Sequence, residues 1–386
     1  MSPYFYEEHQ LFRESAREFL AQSFSAHFDT WEKNNEIPRW VWKELGDNGY
    51  LGLCHDSAYG GLDADWFTNL IFCEELGRTL NTGFAVAVAV HMYMAINHVS
   101  HAGSHTLKEK YLAPSIAGEM IASLGMSEPG AGSNLKGLKT TAIKNGSHYK
   151  VNGSKIFITN GFFADVMTLC AMTEKGLTLF LLDMNSPGVS KSKLEKIGWH
   201  SSDTAEVFFD NVEIPEAHLI GEEGRAFYYM AESLQAERLV LSMISIGIAE
   251  RILEITKDYL HEREAFGKSL SRKQAIRHRM AELYTELEAT RQLVYHTTWK
   301  LDNGIHAVME CSMCKLKSAE VHKRIADECL QFFGGYGYME EYPIARAYRD
   351  ARAASIIGGT SEIMLEIISK MTLDGQTYNK AYQPKS

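Results

Sequence analysis

Residues 355–364 read SIIGGTSEIM, with Gly358 and Gly359 ahead of Thr360 and an apolar run continuing through Leu365, Ile367 and Ile368. A Gly-Gly step opening a helix leaves main-chain N–H groups with no intrahelical partner and no side chain in front of them. Such groups can face a negative charge, or an oxygen on which charge develops during a reaction. The same residues also suit a tight turn with Thr360 as helix N-cap. A second segment, LGMSEPGAGSN at 124–134, is a loop of small residues that could surround a planar or phosphate-bearing ligand, or simply join two domains. FGGYGYM at 333–339 has the glycines of a phosphate-cradling loop but follows a helical pattern instead of a strand, against a dinucleotide-binding crossover.

Other chemistry is weakly signalled. CSMC at 311–314 has metal-ligand spacing, but it lies in a helical pattern with no second pair to complete four ligands, so no metal site is expected. The fifteen histidines are dispersed, and none sits with Ser or Cys in a spacing that marks a triad. Six scattered cysteines are too sparse for a disulfide framework in 386 residues and fit a reducing compartment.

Composition sets the frame for these segments. With 45% hydrophobic and 23% charged residues the chain reads as a folded, soluble protein. A formal charge of −10 without a Lys/Arg block argues against a nucleic-acid partner. The most apolar stretch, GFAVAVAVHMYMAI at 83–96, is too short for a membrane span and carries His91, so a buried core helix is expected. The first residues, MSPYFYEEHQLF, lack the patterns of a secretion signal or a transit peptide, and a cytoplasmic location is expected.

From Glu7 to about Gly118 apolar residues recur at three and four, as in Leu11, Phe12, Ala16, Phe19 and Leu20. From Lys139 to Pro215 the period becomes two, and Asn145-Gly146 and Asn152-Gly153 are hairpin-turn signals, so a compact antiparallel β domain is expected. Between Pro215 and Pro343 there is no proline, and long 3.6-period segments predict a bundle of long helices. The boundaries expected are 1–119, 120–226 and 227–386. Helices, then strands, then helices is an α+β order that excludes a βαβ dinucleotide fold.

Taken together, MSEPGAGSN at 126, KIFITNG at 155, TAEVFFDNVEIP at 204, REAFGK at 263, QFFGGYGYMEEYP at 331 and GGTSEI at 358 resemble the acyl-CoA dehydrogenase family. Six collinear matches span essentially the whole chain. The resemblance implies an N-terminal helical domain, a central β domain and a C-terminal four-helix bundle. It also implies removal of an α proton and a β hydride from an acyl-CoA thioester, giving a trans-2-enoyl-CoA. No side chain accepts a hydride, and the cofactor implied is FAD.

Residues matching the family's flavin contacts run from Leu124 to Ser133, including Met126, Ser127, Gly132 and Ser133, and include Phe157, Ile158 and Thr159, with Thr360 and Glu362 beside the glycine turn. Arg263, Phe266, Gln274, Gln331, Gly334 and Gly335 match positions that in the family reach the flavin of a neighbouring subunit, which implies an oligomer, most often a homotetramer. Ser133, Arg238 and Gly359 match substrate contacts. An electron-transfer flavoprotein is the implied electron acceptor.

Three departures from the family stand out. Phe157 replaces a frequent Trp, and Asn134 a usual Asp. At Gly358 the best-known members have the glutamate that takes the α proton. Isovaleryl-CoA and long-chain acyl-CoA dehydrogenases resemble this chain in having a small residue there and a glutamate before an arginine in the segment matching SLQAERLVLSM, which implies Glu237 as base with Arg238 beside it. Gly358 then supplies a backbone donor and room. The substrate implied is a long-chain or branched-chain acyl-CoA in fatty-acid β-oxidation. The alternatives are an oxygen-using flavin oxidase or monooxygenase on the same fold, and a non-catalytic scaffold.

Overall fold

The structure, a computed structural model, describes residues 4–378. The helical region begins with α1 (Glu7–Phe24), α2 (Phe28–Asn34), α3 (Arg39–Asp47) and α4 (Trp66–Arg78). Ala16, Leu20 and Phe24, four apart, form the buried face of α1. α4 is buried on almost every side, its first turn capped by Asp65, which accepts from the Thr68 N–H at 2.7 Å.

α5 (Thr82–Ala89), a π-helical turn (Val90–Ala95) and α6 (Ile96–Ala102) run on as one helix. The expected core helix at 83–96 is therefore longer, 21 residues, enough by length and composition to cross a membrane, yet its apolar window is wholly buried inside the fold. His91 in its middle bonds the Ser115 carbonyl at 3.1 Å and accepts from the Ala122 N–H at 3.0 Å. It is a satisfied core histidine that ties the helix to the first strand. α7 (His105–Leu107) and α8 (Ala113–Ile116) complete the region.

The middle region holds β1 (Ala122–Gly125), β2 (Thr141–Asn145), β3 (His148–Thr159), β4 (Val166–Thr173), β5 (Gly176–Asp183), β6 (Val189–Lys193), β7 (Thr204–Pro215) and β8 (Leu219–Ile220). Their order in the sheet is β6-β7-β3-β2-β4-β5-β8, with β1 against β4. Asn145 pairs with His148 across a two-residue turn, the hairpin expected at Asn145-Gly146. Asn152-Gly153 is not a turn. It lies inside β3, where the register against β7 slips between Val151 and Gly153, and a Cβ on Gly153 would come within 2.6 Å of Thr140 Oγ1. The sheet is also not purely antiparallel, since β1 pairs with β4 in parallel and β2 meets β4 in parallel at Thr141. β1 enters directly from the helical region, so no hairpin joins it to β4.

After the sheet come α9 (Ala226–Glu262), the short pair β9 (Glu264–Ala265) and β10 (Lys268–Ser269), α10 (Gln274–Asp302), α11 (Val308–Phe333), α12 (Pro343–Ala351) and α13 (Ser361–Thr372). α9 crosses α4 on bare backbone. A Cβ on Gly247 would overlap the Glu74 carbonyl oxygen, and one on Gly77 would overlap the Ile244 carbonyl oxygen. Around this crossing lies a charge network. Arg13 reaches Glu74, Arg17 reaches Glu75, Tyr295 donates to Glu74, and Arg78 joins Glu250 and Glu254 of α9 at 2.7 and 2.8 Å. α1, α4, α9 and α10 are thereby locked in one arrangement.

Candidate active site

The glycine turn carries both features read from its sequence. Gly358 and Gly359 have φ of +60° and +95°, values that side chains other than glycine's tolerate poorly. Thr360 then caps α13, its hydroxyl accepting from the Ile363 N–H at 3.3 Å. A Cβ on Gly358 would overlap Leu241 Cδ1 of α9, and one on Gly359 would lie 2.7 Å from Met364 Cε and 3.9 Å from Arg238 Nε. The turn is pinned from α11, where buried Lys315 donates from Nζ to the Gly359 carbonyl at 2.6 Å.

Glu237 sits one helical turn before Leu241 on α9, and so on the stretch of helix that abuts the turn. It is 3% exposed, far from the solvated surface charge that its residue type usually is. Burial pushes its carboxyl up to about 7, against the Ser233 hydroxyl, which donates to Oε1 at 2.8 Å, and the adjacent Arg238, both of which favour the charged form. Arg238 is itself buried, and that lowers its guanidinium pKa. A carboxylate poised near neutrality in a dry setting is what a general base requires.

The sign of the pH dependence follows. With Glu237 as the candidate base, which must be ionised to take a proton, kcat/KM is expected to be low below pH ~6 and to rise through about 7 to a plateau. Ser233→Ala removes a bond that favours the anion, which should move that limb to higher pH. A limb that stays in place in the variant would mean that Ser233 does not govern the ionisation of Glu237.

The positions matching flavin contacts fall into two groups. In the first, the loop after β1 is fastened to β3. The Ile156 N–H donates to the Ser127 carbonyl at 2.9 Å, and buried Lys155 donates to the Met126 carbonyl at 3.1 Å and to Glu128 Oε1 at 2.8 Å. This sets Leu124, Met126 and Ser127 beside Phe157 and Thr159. Phe157 has φ +62° and is 69% exposed, while Gly132 and Ser133 are exposed and nothing lies within 4 Å of where a Gly132 Cβ would stand. An apolar face beside open main chain fits a planar ring with polar edges. Ile158 departs from its expected role, since its side chain is buried in the sheet core and only its main chain can face a ligand.

The second group forms another surface. The Arg263 guanidinium lies over the Tyr336 ring at 5.6 Å, Phe266 is 96% exposed, and Gln274, Gln331, Gly334 and Gly335 are exposed. Among the described residues no hydrogen bond or ion pair ties these positions to the first group. Glu362 is exposed on the first turn of α13, its carboxyl held below the usual range by its own backbone N–H and by Thr360. Cys311 and Cys314 are buried in the bundle, and among the described residues no three His, Cys, Asp or Glu side chains converge on a metal position.

Three residues at the site escaped the sequence reading: Ser233, Leu241 and Lys315. Ser233 is four before Glu237 on a helix, a spacing at which side chains meet. Lys315 shares the buried stripe of α11 with Cys311, Ser318 and Ala319, an unusual place for a lysine. Leu241 carried no signal of its own.

Comparison with known proteins fixes the class. Residues 6–119, 123–212 and 224–373 match the models of the acyl-CoA dehydrogenase N-terminal, middle and C-terminal domains. The chain belongs to the acyl-CoA dehydrogenase family, whose members depend on FAD. It is 38% identical over 379 residues to the mitochondrial long-chain specific acyl-CoA dehydrogenase of Mus musculus, covering 95% of this chain and 86% of that one. It is 36% identical to the mitochondrial isovaleryl-CoA dehydrogenase of Pongo abelii, covering 94% and 88%. The crystal structure of acyl-CoA dehydrogenase from Geobacillus kaustophilus matches with a TM-score of 0.92 and 40% identity, covering 96% and 99%.

Proposed function

We propose that the protein dehydrogenates a long-chain or branched-chain acyl-CoA to the trans-2-enoyl-CoA, with Glu237 as the base. The observation that carries this reading is a buried carboxyl near neutral pKa, on the helix segment whose next turn fills the space left by Gly358. An α proton of a thioester is only weakly acidic, so charge developing on the carbonyl oxygen needs a fixed donor in a dry site. The Gly358 N–H serves as that donor, and Lys315 holds the turn through the Gly359 carbonyl. Glu237 takes the α proton and becomes neutral, and Arg238 beside it favours the ionised form that is needed beforehand. FAD, when bound, supplies the hydride acceptor. Leu124, Met126, Ser127, Phe157 and Thr159 would hold it on one side, Thr360 and Glu362 beside the turn, and Arg263, Phe266, Gln274, Gln331, Gly334 and Gly335 would reach it from a second subunit. The names of the relatives, long-chain specific and isovaleryl, support the substrate classes. A homotetramer and an electron-transfer flavoprotein as acceptor belong to the same reading.

Anaerobic mixing of the yellow holoenzyme with acyl-CoAs of graded length and branching tests it, since substrates of the right class should bleach the flavin absorbance. No bleaching by any of them would overturn it, and rapid oxygen consumption without another acceptor would favour an oxidase. Arg263→Ala should lower flavin content and loosen the assembly in size-exclusion chromatography. Full retention of flavin and of assembly size would remove Arg263 from the cofactor contacts.

A further inference from the structure

Two hollows meet α9, one on either side of Glu237 along the helix. On the Leu241 side a slot lined by Val86, Ile244, Ile248 and Ile357 encloses only about 20 Å³, room for about one water. On the other side, beginning at Ser233 and Ala236, a cavity of about 350 Å³ opens between α9, α4, α6 and the loop after α10. That is within the size range of small-molecule sites. Ser233, whose hydroxyl bonds Glu237, lines this larger cavity, which therefore adjoins the base through that residue.

The walls of this cavity mix apolar side chains, among them Trp66, Leu301 and Ile305, with polar ones. Asn69, Asn97, His98, His101, Gln235 and His306 all contribute to it. Asn69 is already bonded, accepting from Tyr93 at 2.9 Å and donating to the Asp65 carbonyl at 2.8 Å, and His101 bonds the Asn97 carbonyl at 2.9 Å. His98 is different. It is 2% exposed, and its Nε2 has no hydrogen-bond partner among the described residues. Nε2 of His306 is buried and unpaired as well. An unpaired buried polar atom is destabilising unless a ligand or water meets it. Among the described residues no Lys or Arg lines the cavity, and burial lowers the pKa of His98 to about 4, so His98 itself offers a carboxylate no counter-charge.

We propose that this cavity receives the distal part of the acyl group, and that the natural acyl group carries an uncharged oxygen there, a hydroxyl or a ketone, that hydrogen-bonds to His98. The inference rests on the assignment of Glu237 as base, and it makes the substrate an oxygenated acyl-CoA. A site built to bond such an oxygen discriminates against the chain that lacks it, because its own polar atoms are then left buried and unpaired.

The test uses the FAD-loaded enzyme and acyl-CoAs of equal carbon number, either plain or bearing one hydroxyl at successive positions beyond the γ carbon. At one position the hydroxylated thioester should show kcat/KM at least ~10-fold above the plain chain. His98→Leu should bring that ratio toward one, and His98→Gln, which keeps a polar group, should retain part of it. A preference for the plain chain at every position overturns the inference and leaves the Glu237 reading standing. Equal weakening of free CoA and acyl-CoA by His98→Leu would place the CoA arm in the cavity and also overturn it. If no acyl-CoA reacts, the proposed function itself fails. Should His98→Leu not fold, the wild-type series and His98→Gln still decide.

Discussion

Glu237→Gln is expected to slow substrate-driven flavin bleaching by at least ~10²-fold, the usual contribution of a general base, while flavin content and substrate affinity survive. Gln keeps the shape of the side chain and can still accept from Ser233, so the packing around it hardly changes. Stability offers an independent check. Below pH ~4.5 the carboxyl is protonated whether the chain is folded or not, and it costs nothing. Between that pH and about 7 the unfolded chain ionises and the native state does not, so wild-type stability falls as pH rises through this window. The variant lacks this loss and should be more stable than wild type at pH 8, by on the order of 3 kcal/mol, and no more stable at pH 4. Bleaching at the wild-type rate would exclude Glu237 as base. Returning the acid to position 358 needs more than Glu237→Gly with Gly358→Glu, because Leu241 occupies the space of a side chain there and the φ of +60° strains any residue but glycine. Adding Leu241→Ala should recover part of the rate, whereas Gly358→Glu alone should be impaired by two carboxylates in one small site as well as by that overlap.

The second large effect is expected at the crossing of α4 and α9. Gly247→Val places a branched side chain where the Glu74 carbonyl oxygen lies, and neither helix backbone has slack, because the reciprocal contact at Gly77 is just as close. Separating the helices would also pull Arg78 from Glu250 and Glu254. A loss of at least ~3 kcal/mol is expected, visible as a fall of several degrees in Tm or as failure to accumulate in soluble form. Gly130→Ala is the matched control. Nothing lies within 4 Å of that Cβ and the backbone there does not need glycine, so Tm should stay close to wild type. An unchanged Tm in Gly247→Val would mean that α4 and α9 are not seated on each other in solution.

The order of the three regions was legible because each carries its own period: α1 through Ala16, Leu20 and Phe24, the sheet through alternation, and α9 to α11 through the absence of proline over more than a hundred residues. The cap at Thr360 was legible for a local reason, since a hydroxyl before a helix bonds its own backbone. What was not legible depends on neighbours distant in sequence. Asn152-Gly153 looks like Asn145-Gly146, and only the closeness of Thr140 turns it from a turn into a bulge. The parallel pairing of β1 with β4 joins segments some forty residues apart and leaves no mark on either. Ile158 could not be sorted from Phe157 and Thr159 until the strand's inner face was known. At the site, Glu237 was singled out by a resemblance, whereas its partner Ser233 and the lysine under the glycine turn came from the fold. The cavity with His98 is assembled from four separate segments, none of which announces it.

The glycine crossing has a mechanical side. Ten residues of helix separate Gly247 from Glu237, about 15 Å at the usual rise, so the crossing acts as a pivot and the carboxylate rides at the end of the arm. A tilt of only about 4° there displaces the end of an arm that long by about 1 Å. Misplacement on that scale can cost ~10²-fold in rate. The hinge point lies on the α4 backbone, away from the Glu237 carboxyl, so with Glu237 as the proposed base, drift at residues 74–77 that leaves the protein folded would register as lost turnover with the site's side chains intact.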